Sequence, residues 1–82
     1  MRITFRKKRR ERFQTFDTYD VKIDGRVVGG LRDGGYYVVS QELSIPLRNT
    51  WADGIRFHSL DECKRHARVH LLNVLLPPKE DV

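Results

Sequence analysis

The sequence has one cysteine, three prolines and no aliphatic run longer than three residues. Each scarcity excludes something. A lone Cys63 cannot close an internal disulfide, which fits a reducing compartment and an expected cytoplasmic location. The longest apolar runs, Leu71–Leu72 and Val74–Leu76, are split by Asn73 and are far too short to span a bilayer, so no membrane partner is expected. The basic N-terminus is followed by no apolar segment, so it is not read as a secretory signal. No glycine-rich loop leads into a helix with a Lys-Ser/Thr pair, and no nucleophile has an evident base and orienter beside it. The chain is expected to be non-enzymatic and to carry no cofactor.

With 82 residues, the chain has room for one core and little room for a deep enclosed cavity. Its net charge of +5 is unevenly placed. Residues 1–12 hold seven cations against Glu11, whereas the other seventy residues hold nine cations against ten carboxylates. Basic character therefore belongs to one end. The expected division is a basic arm over 1–12 and a single compact domain over 13–82.

Phe57 to Pro78 reads as the anchoring element. Ser59 and Glu62 form a capping-box pattern in which the serine oxygen takes an amide of the first turn and the glutamate reaches back to the serine amide. Leu60, Cys63, Ala67, Leu71 and Val74 fall on one side at 100° per residue, and Pro77-Pro78 ends the helix. Upstream, Phe13–Asp24, Arg26–Arg32 and Tyr36–Ser40 have strand chemistry. Asp24-Gly25 makes a hairpin turn between the first two, and Asp33-Gly34-Gly35 turns into the third. Parity puts Val27, Gly29 and Leu31 on one face. Ile45-Pro46 and Trp51–Gly54 read as loop, and Ile55–Phe57 as a short strand at most. The expected fold is α+β: a three-stranded antiparallel meander packed on one C-terminal helix (β-β-β-α). Residues 2–6 form an arm or an extra edge strand, and Arg6–Arg12 is a mobile arm or long loop, because like charges repel.

Four constellations could carry function. Arg6, Lys7, Lys8, Arg9, Arg10 and Arg12 put six cations in seven positions, enough to neutralise several phosphates; the alternatives are a solvated terminus or a nuclear-localisation run. On the sheet, Tyr36 and Tyr37 point to opposite faces. The exposed one could join Arg26 or Arg32 in stacking on bases, while Trp51 reads more readily as a plug at the core edge. On the helix, Val69, Leu72 and Leu76 make a second apolar stripe opposite the first, suited to a dimer or a host-protein target. Cys63, His66 and His70 lie on one helical side. One cysteine on one element is a poor match to structural zinc, and no metal is expected.

From Asp24 to Leu75, about two-thirds of the chain, the D-G hairpin, the three strands and the run F-H-S-L-D-E-C resemble a group of small DNA-binding domains. These are the three-strand-plus-helix domains of tyrosine recombinase N-termini and plant ethylene-response factors. The resemblance implies a sheet laid in the major groove, with Arg26, Arg32, Tyr36 or Tyr37 contacting DNA. In length and style the chain is also similar to stand-alone phage accessory proteins, some of which inhibit host defence complexes such as CRISPR effectors. Two expectations follow. One is a phage or mobile-element accessory protein that binds nucleic acid or a nucleoprotein complex. The other is a protein-directed inhibitor of anti-CRISPR or anti-restriction type.

Overall fold

The computed structural model describes residues 1–76. The fold is α+β, but its sheet has five strands rather than three. Ile3–Lys7 (β1), Thr18–Ile23 (β2), Arg26–Arg32 (β3), Gly35–Ser40 (β4) and Ile45–Asn49 (β5) pair antiparallel in chain order. One helix, Leu60–Leu75 (α1), packs on β3, β4 and β5.

The two additional strands are the two edges, and each has a physical reason. In β1, repulsion among cations is relieved by carboxylates on the neighbouring strand and its approach. Arg6 sits opposite Asp20 in the β1–β2 register, and Lys7 Nζ lies 3.5 Å from Asp17. Charge density that argues against a strand in isolation is thus compatible with one beside acidic neighbours. In β5, Pro46 occupies a sheet edge, where a residue without an amide donor is tolerated. Ile45, at 2% exposure, anchors the strand in the core. Ile55–Phe57, by contrast, forms no strand. The Phe57 amide donates to the Gly34 carbonyl at 3.2 Å, and its ring packs on Tyr36 with centroids 6.1 Å apart.

The Asp24-Gly25 turn has positive φ at both residues, +49° and +85°, as a type I′ hairpin requires. A bulge follows in β3. Val21 pairs with Gly29 but Lys22 pairs with Val27, which leaves Val28 as the extra residue. The slip reverses the expected parity at this end of the strand. Val28 is buried and Val27 is 59% exposed.

Val21, Ile23, Val28, Leu31, Tyr36, Val38 and Ile45 of the sheet meet Cys63, Ala67 and Leu71 of the helix to form the core. Ser59 Oγ accepts from the Glu62 amide at 3.1 Å, as the cap pattern predicts. The Glu62 carboxylate reaches back to the His58 amide at 3.3 Å, one residue earlier than expected. Asp61 and Glu62 place negative charge at the positive end of the helix dipole. At the other end the Leu76 amide donates to Leu72 O at 2.9 Å. Pro77 and Pro78, expected to end the helix, lie outside the described residues. The helix also sends two cations over β1 and β2, Lys64 above the Tyr19 ring (4.4 Å) and Arg68 above Phe5 (5.5 Å). Their aliphatic stems thereby cover half-buried aromatic edges of the core.

Candidate nucleic-acid interface

Because α1 covers one face of the sheet, the other face stays open. Strand alternation puts Arg6, Asp20, Lys22, Val27, Gly30, Arg32, Tyr37, Val39 and Leu47 there. Tyr37 is 45% exposed, whereas its neighbour Tyr36 is fully buried. Of the two tyrosines, Tyr37 is therefore the one that could meet a ligand. Arg26, paired with Ile23, falls on the opposite side by the same alternation, and its guanidinium forms an ion pair with Glu42.

The basic connection between β1 and β2 folds partly onto its own acids. Asp17 takes Arg10 at 2.7 Å and Lys7 at 3.5 Å, and Lys8 lies 3.9 Å from Asp20. The Arg10 hydrogen bond and charge hold the Asp17 carboxyl below its ordinary value and raise the guanidinium in turn. Arg6, Arg9 and Arg12 have no carboxylate partner among the described residues. Even with Glu11, Asp17 and Asp20 set against the seven cations of residues 1–12, an excess of four positive charges remains. Beside Arg12, whose guanidinium lies 5.5 Å from the ring centroid, Phe13 is 88% exposed. An aromatic ring so far outside the core, among exposed cations, is an arrangement that single-stranded nucleic acids exploit through stacking.

At the junction of this connection with the open face, Arg32 lies over two rings, Phe16 at 5.2 Å and Trp51 at 4.9 Å. Gly35 makes room for the indole: a side chain there would begin 2.7 Å from Trp51 Cε2. Gly30 likewise makes room for Tyr37, since a Cβ would fall 2.8 Å from Cε1 of that ring. The space beside Gly29 and Gly30 is filled by the neighbouring strand, through the Tyr37 carbonyl and Val38 Cα at Gly29 and the Tyr37 ring at Gly30. The resulting surface is concave, with a cavity of about 440 Å³. Neither Phe16 nor Trp51 was singled out from sequence as a contact residue. The available signal was slight: Trp51 lies in a segment read as loop, and Phe16 breaks the alternation of the segment Phe13–Asp24 read as strand.

Opposite this surface, under the helix, lies a polar cluster that sequence reasoning missed. The Tyr36 hydroxyl is 3.0 Å from His66 Nδ1, and His70 packs 6.4 Å from the Tyr36 ring. Burial raises the Tyr36 phenol above its ordinary value. His70 Nε2 and Arg48 Nε are both buried without a hydrogen-bond partner, the latter 3.9 Å from Asp53, an ion-pair distance beyond hydrogen-bonding length. Burial, then the Arg48 charge, then His66 lower the His70 pKa below 6.5. The folded protein therefore keeps His70 neutral where the unfolded chain takes up a proton. Stability from this group is present above about pH 6.5 and is lost as pH falls through the depressed folded value. Thermal unfolding at pH 7.5 and 5.5 should show this loss in the native protein and a smaller one in His70→Gln. Parallel losses in the two proteins would contradict it.

Cys63, His66 and His70 do not converge. Cys63 Sγ points at Arg32 O, 3.9 Å away, while His66 turns to Tyr36. Burial, reinforced by Asp33 and Glu62, pushes the Cys63 thiol up to about 11. At pH 8 iodoacetamide should label it at least about 100-fold more slowly in the folded protein than in guanidinium, because the thiolate is the reactive form. Equal rates would contradict the burial.

On the outer side of α1, Val69 and Leu76 are 50% and 53% exposed, and Leu72 is half-buried. No helix among the described residues is long and apolar enough to cross a membrane. Comparison with known proteins finds no matching family model, no matching curated relative and no matching solved structure.

Proposed function

We propose that this chain is a small non-enzymatic accessory protein that binds nucleic acid, or the nucleic acid of a nucleoprotein complex. The β1–β2 connection supplies charge and the open sheet face supplies contacts. One observation carries this reading: Arg9 and Arg12 hold no ion pair among the described residues and lie in the same connection as exposed Phe13, next to the Arg32 surface, with Arg6, also outside any ion pair, near the end of β1. Cations that the protein's own carboxylates do not hold in an ion pair are the ones most able to displace counterions from phosphates. Tyr36 is excluded from contact by its burial, and Arg26 is engaged by Glu42. The test is binding of labelled 20-nucleotide single strands and duplexes at 50 and 200 mM salt. Binding that weakens by tenfold or more over that range supports the reading. Absence of binding at 50 mM salt contradicts it.

A second reading, a protein-directed inhibitor of a host defence complex or a homodimer, is favoured by the half-exposed Val69 and Leu76. With Leu72 they leave an apolar stripe without a partner among the described residues. Leu72→Asp should then abolish partner capture or self-association while leaving nucleic-acid binding unchanged.

A further inference from the structure

We infer that the concave surface between the β1–β2 connection and the open sheet face is a pocket for one unpaired nucleotide. The phosphate would meet Arg32, and the base would lie on Tyr37. This rests on the nucleic-acid reading above and narrows it from any phosphate backbone to single-stranded substrate.

The pocket is lined by Lys8, Phe16, Asp20, Arg32, Tyr37 and Trp51, among others. At about 440 Å³ it falls at the lower end of the roughly 300–1,000 Å³ seen for small-molecule sites. Its chemistry is divided. The Arg32 guanidinium carbon lies over two aromatic rings, 5.2 Å from the Phe16 centroid and 4.9 Å from that of Trp51, and has no carboxylate partner among the described residues. A guanidinium with no carboxylate on its N–H donors keeps that planar fork available, and the fork suits a phosphate oxygen pair. The rings also remove rotamer freedom from the arginine before any ligand arrives. Asp20, the pocket's carboxylate, is offset by Lys8 at 3.9 Å, so Arg32 sets the sign of the site.

Tyr37 supplies the flat apolar surface. One side of its ring covers Gly30, where any side chain would collide with it, and the residue remains 45% exposed. A ring packed on backbone and open on the other side is a stacking platform for a base. A duplex offers its phosphates but keeps its bases stacked inside, so it cannot use Tyr37. An unpaired strand can use both. An acidic peptide could reach Arg32 but would have no planar group for Tyr37.

Trp51 is the only tryptophan, so its fluorescence reports on this pocket alone. The probes are a 12-residue oligothymidylate, an abasic strand of the same length, a duplex, and a glutamate-rich peptide, each titrated into the full chain at 50 mM salt. The expected result is a change in Trp51 emission with oligothymidylate, binding at least about tenfold tighter than the abasic strand. Tyr37→Ala should erase that preference, Tyr37→Phe should keep it, and Arg32→Gln should weaken both strands. Circular dichroism confirms that each variant is folded, and Tyr37→Phe keeps the test valid if Tyr37→Ala is not. Equal affinity for oligothymidylate, abasic strand and duplex overturns the pocket but leaves phosphate binding standing. Equal binding of the peptide overturns it in favour of a generic anion site. Failure of every nucleic acid to bind overturns both readings together.

Discussion

Replacing Arg6, Arg9 and Arg12 together by glutamine should reduce the salt dependence of nucleic-acid binding by about 2–3 in the slope of log K against log salt. Affinity at 50 mM salt should fall by about 10- to 100-fold. The size of the effect follows from which cations are free. Lys7 and Arg10 are held by Asp17, and Lys8 lies beside Asp20, so part of their charge is spent inside the fold. The other three have no such partner among the described residues, and each can release a counterion from a phosphate. Lys7→Gln with Arg10→Gln makes the contrasting variant. It should change the slope less, because removing those two cations also frees Asp17 to repel the ligand. Isothermal or fluorescence titration at four salt concentrations reads both slopes. If the triple variant keeps the native slope, the free cations are not phosphate contacts.

Gly29→Ala should destabilise the fold by about 3 kcal/mol, at the upper end for overpacking. A Cβ at that position would run into the Tyr37 carbonyl oxygen and approach Val38 Cα to 2.8 Å. Both are backbone atoms of the paired strand, so no side chain can swing away to make room. The β3–β4 pairing must open instead, at the strand that carries Tyr36 and Val38 into the core and Tyr37 to the open face. For a domain of this size the melting temperature should fall by roughly 12–24 °C. Val27→Ala, two residues away on the exposed side of the bulge, should shift stability by no more than about 0.5 kcal/mol. A melting temperature for Gly29→Ala within about 4 °C of the native value would show that the sheet relaxes around the added methyl group.

The helix and the central hairpin were legible from sequence because their signals are local. Ser59 and Glu62 mark a start, Leu60 to Val74 repeat with helical period, and Asp24-Gly25 fits a turn that few other dipeptides can make. The sheet edges were legible only in part: residues 2–6 read as an arm or an edge strand, whereas the choice between them and all of β5 have non-local reasons. Arg6 and Lys7 look unsuited to a strand until Asp20 and Asp17, fourteen and ten positions away in sequence, come beside them. Pro46 looks like a strand breaker until the strand proves to be an edge. The bulge at Val28 shifts parity by one residue and so inverts the reading of Val27. At the candidate interface the cations and Tyr37 were visible as residue types. The placement of Phe16 and Trp51 against Arg32 depends on two loops meeting over one strand, and no spacing in the sequence encodes that.

The most direct measurement is amide and indole chemical-shift mapping of the full chain titrated with a single-stranded oligonucleotide. The surface described above predicts shifts at Lys8 to Phe16, at Arg32 and Tyr37, and at the Trp51 indole, with Val69 to Leu76 undisturbed. Shifts confined to Val69–Leu76, or none anywhere at low salt, would contradict it.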